Sequence, residues 1–294
     1  MSGLYQPDCV WALEAELGEG PVWSAAEGAL WFVDIKQDRL HRFDTAAGEG
    51  RSWTAPARPG FLAPCSDGGF IVGLKSGLCR FDPERGEFTP PAPVEPHRPS
   101  NRLNDGVVDA AGRLWFGSMD DGETDATGRL YRLDPAGPRA VDHGYVITNG
   151  PAISPDGRRL YHTDTLRQVI YAFDLSPEGE ISGKRVFARI EPGGGYPDGP
   201  TVDAEGYVWT GLFGGWSARR YSPFGELVRT VHFPCANVTK ITFGGEDLRT
   251  AYATTAWKGL TSEQRSQQPL AGGLFAFRVD APGQPQHLVR HDLA

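Results

Sequence analysis

Four side chains with oxygen donors, Glu19, Asn104, Asn149 and Asp198, recur at one phase of an internal repeat, each five residues ahead of a polar turn. In a radially repeated fold, a shared phase means a shared ring about one axis. Two carboxylates converging in a narrow channel repel unless a cation or a proton lies between them. Two carboxylates and one or two amide carbonyls, with no histidine or cysteine in phase, favour hard or borderline divalent ions: Ca2+, Mg2+ and Mn2+, with Fe2+ and Zn2+ also admitted. Three or four protein ligands leave positions for water, as a catalytic metal requires. Singly, Asn149 and Asp198 equally suit Asn-Gly and Asp-Gly turns, and Glu19 a solvated charge. The common phase sets them apart, because turn chemistry does not call for a glutamate there.

The elements that would carry this ring emerge by superposing segments. Glu19-Gly-Pro-Val-Trp-Ser, Asn104-Asp-Gly-Val-Val-Asp, Asn149-Gly-Pro-Ala-Ile-Ser and Asp198-Gly-Pro-Thr-Val-Asp each begin a strand, a tight turn and a second strand. The turns open on Ser24, Asp109, Ser154 and Asp203 and close on a glycine able to supply positive φ. Weaker copies begin at Phe61 and Lys240, giving phase positions 19, 61, 104, 149, 198 and 240. Their spacing of 42 to 49 residues matches a four-stranded propeller blade. Third strands end at Asp44, Asp82, Asp134 and Asp174, and period-two alternation marks them as β. The fold class expected is all-β: a six-bladed β-propeller with four-stranded antiparallel blades, one domain over residues 1–294. The segment Cys9 to Leu17 is expected to pair with the last blade and close the ring, removing open edges.

Two residues back from the phase positions, on the same strand face, lie Leu17, Arg102, Ile147 and Tyr196. Arg102 could hold a ligand oxygen near the metal or form a rim salt bridge. Asp105 and Lys240 are within reach of the pocket, and Asp120, Asp121 and Glu123 are candidates for an acidic lid. Trp23, Trp31, Trp115 and Trp209 fall at blade-packing positions. His162 stands as a channel-facing or packing residue, and His287 and His291 lie in an expected terminal strand.

A net charge of −8 makes nucleic acid and an anionic membrane poor partners, because binding to either rests on clustered Lys and Arg. Cys9, Cys65, Cys79 and Cys235 form no C-x-x-C pair and read as free thiols. No signal-peptide pattern and no long apolar segment is present, so a cytoplasmic location is expected. There is no G-x-S-x-G, H-E-x-x-H or P-loop.

Leu17-Gly-Glu-Gly-Pro-Val-Trp23, Arg102-Leu-Asn-Asp-Gly106, Thr148-Asn-Gly-Pro151 and Tyr196-Pro-Asp-Gly199 resemble the motifs of the senescence marker protein, regucalcin and gluconolactonase family. Phe32-Val-Asp-Ile-Lys36, Tyr161-His-Thr-Asp-Thr165 and Pro269-Leu-Ala-Gly-Gly273 are most similar to bacterial pentonolactonases such as xylonolactonase. The resemblance implies metal ligation by Glu19, Asn149 and Asp198, and substrate contact by Arg102 and Asn104. Asp121 or Glu123 would take the acidic substrate contact of some relatives, with Tyr196 nearby. The expected reaction is metal-dependent hydrolysis of a sugar lactone, a pentonolactone or gluconolactone, with Asp198 taking the proton of the attacking water. A monomer or weak homo-oligomer is expected. The alternatives are a non-enzymatic calcium-binding protein and a propeller esterase or phosphotriesterase.

Overall fold

The computed structural model describes residues 3–290, and these residues form six sheets of four antiparallel strands. Each sheet grows from a hairpin whose turn is chemically specified. Asp109 accepts the N–H of Ala111 and Asp203 that of Glu205, the Asx turns expected from their positions. The same turn acids hold the blade tryptophans. Asp109 accepts from the Trp115 indole at 2.9 Å and Arg113 at 2.6 Å, and Asp203 accepts from Trp209 at 3.0 Å and Arg220 at 2.8 Å. Glu27 does the same with Trp31 and Arg42. The indole N–H is therefore satisfied inside the blade, and the rings of Trp31, Trp115 and Trp209 can be fully buried. Each such burial contributes on the order of 3 kcal/mol. Trp23 is likewise core, stacked on Tyr252.

The first blade runs through Gly18–Ser24, Ala29–Asp34, Arg39–Asp44 and Glu49–Thr54. Blades two to five open on the inner strands Pro59–Pro64, Asn101–Val108, Thr148–Ile153 and Tyr196–Val202. The sixth comprises Asn237–Gly244, Thr250–Ala256 and Leu274–Arg278, with the early strand Asp8–Trp11 on its outside. The ring is thus closed by Asp8–Trp11, and further along the expected segment Ala15 and Glu16 make main-chain hydrogen bonds with Gly272, Trp257 and Lys258 of the last blade before the chain enters blade one. The one α-helix among the described residues, Ser262–Gln267, is an exposed turn held by a capping box from Thr261 to Gln264.

In all six inner strands the pairing slips by one residue beside the phase positions, for example between Glu19 and Val22 and between Asn149 and Ala152. Such a bulge re-aims side chains out of simple alternation. It is also where glycine is needed: Gly150 has φ +83, and a Cβ there would lie 2.8 Å from Pro200.

At the opposite face of the disc the chain past Val279 runs under the channel. Ala204 N–H donates to Pro282, the Gln284 amide donates to Ile153 and Val202, and Val289 accepts from Ser66 N–H and donates to Pro64 in blade two. The expected terminal strand around His287 is only an isolated bridge at Val289, and His291 lies outside the described residues.

Candidate functional site

Five of the six phase positions bring polar side chains to the channel, and all five are buried: Glu19, Asn104, Asn149, Asp198 and Lys240. The sixth, Phe61, joins a hydrophobic cluster against Phe116. Lys240 and Asp105, expected only to reach the pocket, neutralise one another. The ammonium lies 2.6 and 2.7 Å from the two carboxylate oxygens, which also accept the N–H groups of Gly106 and Gly150 at 2.7 Å. Asp105 is thereby satisfied and joins blades three, four and six.

Glu19 and Asp198 lack such a partner. Their side chains lie within hydrogen-bonding reach of each other, and the Glu19 carboxylate otherwise accepts the Gly20 N–H at 2.9 Å. Burial raises the pKa of Glu19, and the nearby Asp105 charge adds to the rise. Burial, then Glu19 itself, raises that of Asp198 well above its ordinary value. Two buried carboxyl groups so placed hold a proton between them or a cation beside them.

Asn149 completes the set. Its Nδ2 donates to Thr165 Oγ1 at 2.9 Å, which fixes the amide so that Oδ1 accepts from Asn104 Nδ2, also at 2.9 Å. One lone pair of Oδ1 stays available. Two carboxylates without a cationic partner and an oriented amide oxygen fit a hard divalent ion, and do not need the Asp105-bound lysine. Among the described residues, no group of three or more His, Cys, Asp and Glu forms a metal cluster, so an amide ligand is required to reach three.

Arg102 bridges this centre to the mouth. It is buried, donates to Asn104 Oδ1 at 2.5 Å, and places Nε 3.2 Å from Asp121 Oδ1. The expected acidic lid has a different character. Asp120 is spent on its own turn, accepting from Thr124 and Asp125. Asp121 is ringed by Arg58 at 2.5 Å, Lys75 at 2.8 Å, Arg102 and Lys36, and Glu123 pairs with Lys258. Burial alone would raise the Asp121 pKa, but Lys75, Arg102 and Arg58 outweigh it and hold the carboxyl below its ordinary value. Sequence reasoning missed these lysines and Arg58, which share no repeat phase. Their one signal is position: Lys36, Lys75 and Lys258 follow the second strands of blades one, two and six, on the face where the inner strands begin. Tyr196 stands exposed on that face, Ile147 is half-buried, and Leu17 goes to the core.

His162 does not reach the channel. It is fully buried edge-on to Tyr145, neither ring nitrogen has a hydrogen-bond partner, and burial pulls its pKa down to about 3. The four cysteines are free, with Cys9 half-buried and the others buried. A cavity of about 1020 Å³ opens on the opposite face, and neither Glu19 nor Asp198 lines it. No helix among the described residues is long and apolar enough to cross a membrane.

Residues 17–257 match the SMP-30/gluconolactonase/LRE-like region. The chain is 36% identical over 279 residues to 6-deoxy-6-sulfogluconolactonase of Pseudomonas putida, covering 94% of this chain and 95% of the relative. It is 36% identical to L-arabinolactonase of Azospirillum brasilense, over 91% and 90% of the two chains. Among solved structures, regucalcin of Agrobacterium tumefaciens, a calcium-binding protein, superposes with a TM-score of 0.92 at 27% identity, covering 96% of each chain. The chain belongs to the SMP-30/gluconolactonase/LRE-like family.

Proposed function

We propose that this protein is a metal-dependent carboxylic-ester hydrolase that opens a sugar lactone to its aldonic acid. The observation that carries the reading is the Glu19 and Asp198 pair, two buried carboxyl groups from different blades converging beside the oriented Asn149 amide. The lactonase names of the two bacterial relatives support the reaction class. Glu19, Asn149 and Asp198 would hold one divalent ion, Ca2+, Zn2+, Mn2+, Mg2+ or Fe2+. When bound, that ion polarises the lactone carbonyl and offsets the negative charge that develops on its oxygen.

The chain's own groups supply the rest. With the carboxylate pair ionised, Asp198 accepts a proton from water as its oxygen adds to the carbonyl carbon. The ring C–O bond then breaks, and the proton held by Asp198 passes to the departing ring oxygen, leaving an alcohol and a carboxylic acid. Arg102, held against Asn104 Oδ1 at 2.5 Å, presents its guanidinium to the substrate's hydroxyls, and Asn104, whose amide donates to Thr148 and Asn149, fixes that edge of the substrate site. Asp121 and Glu123 belong to the substrate-binding set by ordering the cations around them, and Tyr196 offers an exposed ring at the rim. The regucalcin likeness favours one second reading, a calcium-binding protein without turnover.

Acid release from a panel of aldonolactones, with apo protein reconstituted with each divalent ion, separates the two. Turnover abolished by chelation and restored by metal is expected, and Asp198→Ala should abolish it with the fold intact. Near wild-type activity in that variant would overturn the assignment, and no turnover with any ion would leave the binding role.

A further inference from the structure

The mouth of the channel is cationic in a protein whose net charge is −8. Lys36, Arg58, Lys75 and Arg102 all approach one carboxylate, Asp121, and Lys258 meets Glu123. Five cations thus face two carboxylates in direct ion pairs. Asp34, two residues before Lys36, makes no ion pair with any of the five, its oxygens being directed to four main-chain N–H groups. A purely structural network would balance its charges, because partly buried unpaired cations are costly. Lys36 registers the excess: burial lowers its pKa, and Lys258, Arg102 and Arg58 lower it further. Arg102 Nε and Asp121 Oδ1 are buried without an aligned hydrogen bond, which leaves a polar atom of each unsatisfied beside the cations.

Arg102 also fixes where this cluster lies, since it contacts Asn104, which contacts Asn149. One guanidinium separates the candidate metal ligands from the cations. We propose that the mouth selects a sugar lactone bearing an anionic substituent, a sulfonate, phosphate or second carboxylate, received by Lys36, Arg58 and Lys75 while the ester faces Glu19, Asn149 and Asp198. The inference rests on the lactonase reading and narrows its substrate class.

The test compares kcat/KM for 6-phosphogluconolactone and 6-deoxy-6-sulfogluconolactone with that for gluconolactone and arabinonolactone, alongside calorimetric binding of 6-phosphogluconate and gluconate. The anionic lactones should be preferred by at least about tenfold, and Lys75→Gln or Arg58→Gln should each reduce that ratio about tenfold. Both positions are over a third exposed, so the variants are expected to fold, and a melting curve checks this. The preference should shrink in about 0.5 M salt, where charges are screened within a few ångströms. Equal kcat/KM for charged and neutral lactones overturns the inference while leaving the lactonase reading intact. If no lactone is opened, the lactonase reading fails and binding decides: tighter 6-phosphogluconate, weakened in Lys75→Gln, sustains the anion site, and equal binding overturns it.

Discussion

Lys240 on blade six and Asp105 on blade three face each other across the channel, with the ammonium 2.6 and 2.7 Å from the two carboxylate oxygens. This pairing withdraws the channel's lysine from Glu19 and Asp198, which is why those two carboxyls are left to a proton or a metal. Removing one partner of a buried pair strands the other, so Lys240→Met should destabilise the protein by about 3–5 kcal/mol. Adding Asp105→Leu should recover part of that loss. Urea denaturation of wild type and the two variants checks this, and a Lys240→Met protein as stable as wild type would refute it.

Metal binding should release protons. Burial raises the pKa values of Glu19 and Asp198, the Asp105 charge adding to the rise at Glu19 and the Glu19 charge to that at Asp198, so the metal-free native state holds a proton that ionised ligands must give up. In sign, metal-free stability is full below the unfolded carboxylate pKa of about 4 and is lost as pH rises toward the raised folded values. Affinity should accordingly weaken as pH falls. Calorimetry in two buffers of different ionisation enthalpy measures the protons displaced, and identical apparent enthalpies would show there are none.

Acid should destabilise the fold through its buried histidines. His162 is held at about 3 and His41 at about 4, both chiefly by burial. The unfolded chain binds these protons from about pH 6.5 downward and the native state does not, so each histidine costs up to about 1.4 kcal/mol per pH unit on acidification. His162→Leu should lose about 2 kcal/mol less than wild type between pH 7 and pH 5. Parallel stability curves for the two proteins would count against this account.

Arg102→Lys should lower kcat/KM by roughly ten- to a hundredfold, because a point charge cannot touch Asn104 and Asp121 at once. Steady-state kinetics on whichever lactone is turned over provides the measurement. An unchanged kcat/KM would mean Arg102 serves only the scaffold.

The propeller was legible because each blade must solve one problem alone. A hairpin turn needs its Asx opener and glycine, and the indole of Trp115 or Trp209 needs its turn acid, so local chemistry repeats in register with the fold. Glu19, Asn104, Asn149 and Asp198 were legible for the same reason, as members of that register. Phe61 was assigned to the ring by phase and went to the core, since a phase does not specify which way a bulge turns a side chain. The cationic mouth was hidden because Lys36, Arg58, Lys75 and Lys258 come from loops of three blades and meet only after closure. Asp121 looked acidic in sequence because its counter-charges are 46 and 63 residues away. The run Ala281-Pro-Gly-Gln-Pro reads as loop, and nothing local reveals that it bonds several blades.

The strand Asp8–Trp11 lies outside Leu274–Arg278, so a segment made early in synthesis and one made late share a sheet. Until the late one emerges, the nascent chain is an open crescent with a bare edge at each end. The sixth sheet is therefore complete only when both segments are present. This pairing also puts anything fused ahead of residue 8 on the outer circumference, clear of the entrance to the channel.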